Sequence, residues 1–510
     1  MVVIGRQGHG CFPILLGLAL LSSLRPVSSF IPVPVTGLAG SGPYDALRPV
    51  RARGPVVKAT QMSSASAAAG APTREQRLPS APLPDIILSN IPGTWAYDTM
   101  SRRVRENIIM RIYEENDMSG DGMADAKAKL DALVEDLSKP QESTLRPITE
   151  DGGPEVAEWN RIMGPYLGMN WLDVPWLYAE FYVYRRVVEA FSFFTTGYDP
   201  FFSQKMLGVM SALGSMEALS ARLLESTAAA AEGGGEGGQG TADGLRLYVS
   251  TALWGNRMDL SLWPVDKGGK NAVGSDVFAS VLAAGSSNLL ADDSDRVVAT
   301  LLAAKEGGGR RVDIVVDNAG FELFCDLCLA DYLVASGAAS QVVVQLKGHP
   351  TFVSDAMAKD LVAMVDLLAD LPADENRSAR AVGLRWRGLI SSGKWLLRED
   401  CFWAQPPPFW EMPPPLAAEL ERESCLTFVK GDANYRRLLG DRRWPLDTPF
   451  KDVAGYFPSP LCALRALKAE LGCGMAAAET ARAAAEDKDW MVNGRYGCIQ
   501  FFDPQADSDA

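Results

Sequence analysis

Along this 510-residue chain the hydrophobic pattern changes character three times. Residues 1–30 hold one apolar run, Phe12 to Leu24, behind Arg6 and ahead of the small residues Val27-Ser28-Ser29. From there to about residue 80 no periodicity appears. Between 84 and 226 apolar and aromatic positions recur at helical spacing. Thr94-Trp95-Ala96-Tyr97-Asp98-Thr99 followed by Arg102 to Glu115 predicts an N-capped amphipathic helix. The Trp-rich stretch from Trp171 to Phe194 predicts a second helix, and 203–226 a third. Past the low-complexity segment 228–241, short β-branched runs alternate with helical stretches. Strands are predicted at Leu245–Ser250, Arg311–Val316, Gln341–Leu346 and Ser424–Val429, with helices after the second and third. Such alternation predicts a largely parallel sheet with helices on both faces, an α/β fold behind a mainly helical N-terminal region.

The most informative stretch is Arg311-Val-Asp-Ile-Val-Val-Asp317-Asn318-Ala-Gly-Phe321-Glu322, where a strand ends in an acid, an amide and a glycine before a long helix begins. Ligands of open α/β sheets collect at the carboxyl ends of strands. Asp317 and Asn318 stand at one such end, Asp355 past the next, and Asp432 and Asn434 past a third. Carboxylate and amide oxygens without His or Cys suit a hard divalent ion, and few protein ligands leave coordination positions open. Lys430, Arg436, Arg437 and Lys468 are candidate phosphate-holding cations. Together these residues suggest metal-assisted phosphoryl chemistry. Each also has a plainer structural reading: Asp355 as a helix N-cap, Asn318-Ala-Gly as a turn, Asn256 as a turn closure. By the same reading Glu322 and Asp326 form a solvated acidic face, and Lys430 is surface charge.

Composition narrows the field. With 47% hydrophobic and 22% charged residues the chain is globular. Residues 1–80 hold eight Lys or Arg against Asp45 and Glu75. Taking that surplus of six out of the net −14 leaves −20 on the remainder, a surface that repels nucleic acid. Of two histidines His9 lies in the leader, so only His349 remains for zinc-peptidase or Ser-His-Asp chemistry, and both classes are set aside. Among eight cysteines only Cys325 and Cys328 form a C-x-x-C, and they fall inside a predicted helix as buried thiols. Gly233, Gly235 and Gly238 fit G-x-G-x-x-G, but no strand precedes them, so 227–242 is read as a flexible linker or insertion.

The run in residues 1–30 is too short to cross a bilayer and ends like a secretory signal peptide. Residues 31–80, rich in Ser, Ala, Pro and Arg and poor in acids, have transit-peptide composition and follow it with Phe30 at the junction. The pair resembles the bipartite plastid leaders of algae with secondary plastids; a secreted protein with a disordered spacer is the alternative. No membrane span is expected in the mature protein.

Several motifs in order resemble the damage-control phosphatase family, in its acidic-residue methyltransferase-like branch (subfamily III). They are Leu-Trp-Gly-Asn256, Asp317-Asn318-Ala-Gly-Phe-Glu-Leu-Phe, Phe-Val-Ser-Asp355, Lys-Gly-Asp432-Ala433-Asn434-Tyr435-Arg436 and Gly-Asp441-Arg-Arg-Trp444-Pro. The resemblance runs from about Pro84 to a terminal strand at Arg495–Phe501. It implies a Rossmann-like three-layer α/β/α core over 243–505 and a helical region over 84–226. It also implies a metal-dependent phosphatase acting on small phosphorylated metabolites, sugar phosphates among them. By that resemblance Asp317, Asn318 and Asp355 hold the metal, with Mn²⁺ first among Mn²⁺, Co²⁺, Ni²⁺ and Mg²⁺. Asp432 through Arg436 form the substrate loop and Lys468 meets the phosphate; Asp317, Asp355 and Asp432 are the catalytic acids. The branch's Arg-Thr-x-Lys motif is Arg465-Ala466-Leu467-Lys468 here, so the hydroxyl is missing. Two other readings remain: an S-adenosylmethionine-dependent protein carboxyl (glutamate) O-methyltransferase, and a catalytically idle binding module.

Overall fold

Seven strands form one sheet: β1 Leu289–Asp292, β2 Arg310–Val315, β3 Ala339–Lys347, β4 Trp395–Asp400, β5 Ser424–Lys430, β6 Leu461–Ala466 and β7 Gly497–Phe502. Their order is β1-β7-β6-β5-β2-β3-β4, and every neighbouring pair is parallel except β6 with β7. The computed structural model describes residues 77–231, 239–261, 285, 287–504 and 506, all within one compact unit. The leader assigned to 1–30, and its continuation as far as residue 76, lie outside the described residues.

Alternate strand residues feed two cores, as the two-residue period of a strand requires. Leu461 and Ala463 of β6 face one, Cys462 and Leu464 the other. The first core is closed by the N-terminal helices, through Trp159 and Phe181, and by Trp171 in the turn before the helix that carries Phe181. The second is closed by helices Gln239–Ser261, Phe321–Ala335, Ala358–Asp370 and Arg377–Ser391. With helices on both faces, the three-layer α/β/α expectation holds. Successive strands β2, β3 and β4 step one way across the sheet, and β5 returns to the other side of β2. That reversal opens a crevice between the ends of β2 and β5.

One predicted strand is a helix. Leu245–Ser250 lies inside Gln239–Ser261, with Leu245, Tyr248, Val249 and Ala252 fully buried at i, i+3, i+4 and i+7 spacing. The β-rich composition of Leu-Arg-Leu-Tyr-Val-Ser concealed this helical stripe, which packs against Phe321–Ala335 with the Tyr248 and Tyr332 rings 4.9 Å apart. The same helix removes the proposed boundary at 242/243. Thr227 belongs to helix Leu213–Ala231 and Ala242 to the next, while 232–238, with Gly233, Gly235 and Gly238, lie outside the described residues.

At the N-terminus Thr94 caps helix Trp95–Asp98, its Oγ1 accepting from Tyr97 N at 3.2 Å. An eleven-residue π-helix, Thr99–Ile109, and helix Met110–Glu115 follow where one regular helix was expected. The Trp-rich helix is shorter than predicted, Trp176–Ala190, and the third splits into Phe202–Ser211 and Leu213–Ala231. β1, β4 and β6 were not foreseen. Cys325 and Cys328 are buried within helix Phe321–Ala335, as expected. Among the described residues no helix is long and apolar enough to cross a membrane.

Candidate functional site

Asp317 follows β2, Asp355 the turn after β3 and Asp432 the end of β5, so adjacent strands deliver the three acids to one edge of the sheet. Backbone bonds tie the first two turns together. Ala319 N donates to Ser354 O at 2.6 Å, Ala356 N donates to Asp317 O at 2.8 Å, and Asn318 pairs with Asp355 as an isolated antiparallel bridge. The loop entering Asp355 carries left-handed backbone at Phe352 (φ 44°) and Val353 (φ 65°), costly for a β-branched residue. Phe352 is wedged between Phe181 and Tyr184, at ring distances of 4.7 and 4.9 Å, so the aromatic helix Trp176–Ala190 holds this loop. The helix after it starts at Ala358, its first turn capped by Asp360, which accepts from Met357 N at 3.0 Å. Asp355 is therefore not its N-cap.

On the β5 side Gly431 passes over Asp317 with φ +85°. Asp317 Oδ1 is buried and receives no hydrogen bond. Burial first, then the charges of Asp355 and Glu322, push the Asp317 carboxyl well above the usual range. Burial also raises Asp355, although Lys347 Nζ stands 3.2 Å from its Oδ2. Asn318 is fixed on both sides of its amide: Nδ2 donates to Glu322 Oε2 at 2.8 Å and to Asp317 Oδ2 at 3.2 Å, and Oδ1 accepts from Ser354 Oγ at 2.5 Å. Two crowded carboxylates, one with an unmatched oxygen, beside an oriented amide oxygen are a donor set that fits a hard divalent cation. Among the described residues no three His, Cys, Asp or Glu side chains gather as a cation cage. This set is instead two carboxylates and one amide, which leaves coordination positions open.

Beneath lies a buried polar layer. Lys347 donates to Asn434 Oδ1 (3.0 Å) and Trp403 O (3.1 Å). Lys430 lies 3.3 Å from Glu322 and 3.1 Å from Asp326, and donates to Ala252 O. Glu322, Asp326 and Lys430 are thus a buried triad, not the solvated acidic face and surface cation expected. The helix bearing the acids is covered by Gln239–Ser261, the element taken for a strand. Burial raises the Asp326 carboxyl to about 7 despite Lys430.

A crevice of about 390 Å³ is lined by Asp317, Asn318, Asp355, Asp432, Ala433, Arg436 and Lys468, so seven of the expected residues meet in one place. Asn434 and Tyr435 do not line it. Asn434 Nδ2 donates downward to Val316 O and Lys430 O, and the Tyr435 hydroxyl donates to Gln500 at 2.6 Å. Both lie on the inner face of helix Asp432–Leu438. Arg436 lines the crevice with its fork already engaged: Nε and Nη2 donate to Asp441 at 2.8 and 3.2 Å, Nη1 to Glu180 at 2.7 Å, and the guanidinium lies 3.6 Å from the Trp176 ring centroid. Arg437 points into a cage of Phe181, Phe402 and Phe409, away from any phosphate. Asp432 Oδ1 accepts from Arg465 Nε (2.7 Å) and Lys468 N (3.1 Å), which places Lys468 at the mouth. Ala466 sits in the β6–β7 ladder opposite Gly497 and does not line the crevice. The side chain of Asn256 lies outside the described residues.

Sequence reasoning missed the roof. Thr99, Arg103 and Asn107 of the π-helix line the crevice with Trp95, and Trp176 and Glu180 form a wall. The available signal was the four-residue spacing of Thr99, Arg103 and Asn107; π-helices are often found at functional sites.

Residues 99–483 match the model of the damage-control phosphatase ARMT1-like domain. Damage-control phosphatase ARMT1 of Mus musculus is 31% identical over 438 residues, 81% of this chain and 97% of the relative. Its Danio rerio counterpart is 30% identical over 450 residues, 82% and 97% of the two chains. A crystal structure of a DUF89 family protein from Pyrococcus horikoshii aligns over 63% of this chain and 86% of its own, at 14% identity and a TM-score of 0.34.

Proposed function

The chain belongs to the ARMT1-like damage-control phosphatase family, which makes it a metal-dependent phosphoric monoester hydrolase, and from that premise we propose that the crevice between β2 and β5 hydrolyses small sugar phosphates. The observation that supports this site above others is the buried, unmatched Asp317 Oδ1 beside Asp355 and the clamped amide of Asn318. These three residues hold the divalent ion, with Mn²⁺ first, then Co²⁺, Ni²⁺ or Mg²⁺. When bound, the ion draws negative charge from the phosphoryl oxygens.

The protein does the rest by placement. Lys468, exposed at the mouth with its backbone on Asp432, offers an ammonium to the phosphoryl group. Asp432 and Ala433 border the sugar, where Asp432 orients its hydroxyls or takes part in proton transfer. Arg436, neutralised by Glu180 and Asp441, stiffens the wall. Glu322 fixes the amide of Asn318, so its oxygen and not its nitrogen faces the ion. We also propose a plastid address, supported by the signal-like residues 1–30 and the acid-poor residues 31–80. A fluorescent fusion of residues 1–80 that is secreted instead would remove it.

The test of function is phosphate release by the full chain from a panel of sugar phosphates and an aryl phosphate. It is run with EDTA, with each metal restored, and with Asp317→Ala alongside. Metal-dependent release that Asp317→Ala lacks is the expected result. No release by folded protein with any metal would overturn the reading and direct attention to S-adenosylmethionine binding.

A further inference from the structure

The cations around the crevice are not equivalent. Arg436 is bound to Asp441 and Glu180, Arg465 to Asp432, and Lys347 to Asp355. In the roof, Arg102 is paired with Asp98 and Glu106, and Arg105 with Glu106. Arg103 alone of these roof arginines has no hydrogen-bond or ion-pair partner among the described residues. It lines the crevice with its guanidinium 4.0 Å from the Trp95 ring centroid. Trp95 is itself tethered, its N donating to Glu470 Oε2 at 3.3 Å. Stacking on an aromatic face orients a guanidinium without using its donors, so the fork is left for an anion.

Glu180, Asp432 and Asp355 already engage Arg436, Arg465 and Lys347. A divalent ion and Lys468 serve the scissile phosphate, and Arg103 is left in the roof as a further cation whose donors are unengaged among the described residues. The crevice, at about 390 Å³, has room for more than a phosphate. Pockets of roughly 300–1,000 Å³ accommodate a whole drug-sized ligand.

We propose that Arg103, seated on Trp95, binds a second anionic group of the substrate, so that the preferred substrates are sugar phosphates bearing a carboxylate or a second phosphate away from the scissile ester. This rests on the phosphatase reading above and names its substrate class. Arg103 acts here as a specificity-determining residue. It contributes equally before and during reaction, so its effect falls on KM.

The experiment compares kcat/KM of the full chain with Mn²⁺ on a hexose monophosphate, the matching bisphosphate and a phosphorylated sugar acid, for wild type, Arg103→Gln and Arg103→Lys. One charge-assisted contact predicts a wild-type preference for the doubly anionic substrates of about tenfold or more, carried by KM. Arg103→Gln is expected to collapse that ratio towards one and Arg103→Lys to restore part of it. Whichever doubly anionic substrate leads identifies the second group as carboxylate or phosphate. Salt gives an independent reading that needs no variant: KM for the doubly anionic substrates should climb more steeply with ionic strength than KM for the monophosphate. Release from the monophosphate with no preference, or a ratio untouched in Arg103→Gln, overturns the second-anion site and leaves the phosphatase reading standing. No release from any substrate overturns both.

Discussion

A Cβ on Gly431 would lie 1.9 Å from Oδ2 of Asp317. The end of β5 can therefore cross the end of β2 only as glycine, and its φ of +85° imposes the same restriction. Gly431→Ala must displace Asp317 or the backbone bearing Asp432. Overpacking together with left-handed strain is expected to cost ~2–4 kcal/mol of stability in urea unfolding. Phosphate release should fall by about tenfold or more even where the variant is fully folded, since misplacement by an ångström has that effect. Near-normal activity would mean that Asp317 has freedom the geometry denies it.

Asp317 and Asp355 are crowded carboxylates in a buried site, and the fold resists ionising Asp317. Because its folded pKa is raised, the native state holds a proton that the unfolded chain has released, so stability falls as pH rises above the ordinary carboxylate range. Asp317→Asn removes that penalty. In EDTA at pH 8 the variant should be ~1–2 kcal/mol more stable than wild type. Added Mn²⁺ should raise the melting temperature of wild type and leave the variant unmoved. Equal metal-induced shifts in both proteins would count against Asp317 as a ligand.

Lys430 lies against both Glu322 and Asp326, and all three are buried. Lys430→Met removes this cation from two buried acids and is expected to cost ~3–5 kcal/mol. Asp326→Asn should cost under about 1.5 kcal/mol near neutrality, because burial already brings that carboxyl to about 7 and the amide resembles its protonated form. Denaturant curves at pH 7 measure both, and a cheap Lys430→Met would mean water reaches the triad.

His349 is fully buried, its Nδ1 3.1 Å from Pro350 O, and burial with the nearby Arg185 charge pushes its pKa down to about 3. The unfolded histidine binds a proton near 6.5 and the folded one only near 3. The stability from keeping it neutral is thus complete above pH 6.5 and is lost as pH falls towards 3. That window is worth at most ~5 kcal/mol. His349→Gln should be less stable than wild type at pH 7.5 and lose less between pH 6.5 and 4. Parallel pH–stability curves for the two proteins would sink this assignment.

What could be foreseen was what is local along the chain. β2 with Asp317-Asn318, β3 and β5 were legible because each is a short β-branched run ending in polar turn residues. The stripe at Leu245, Tyr248 and Val249 was not, because its residue types favour strands while its burial follows a helix. β1, β4 and β6 escaped because four to six residues, some polar, carry too little periodicity.

The sequence by itself determined the acids and amide that end the strands, the near-absence of histidine, and the order of motifs that marks the family. Each is a property of residue identity and spacing. Only the tertiary structure decided which groups remain available there. It turned Asn434 and Tyr435 inward, matched Arg436 to Glu180 and Asp441, buried Lys430 between two acids, and left Arg103 unmatched in the roof. Charge and burial are set by neighbours more than a hundred residues away in sequence, as Asp317 and Gly431 are, and no local pattern encodes which of them will meet.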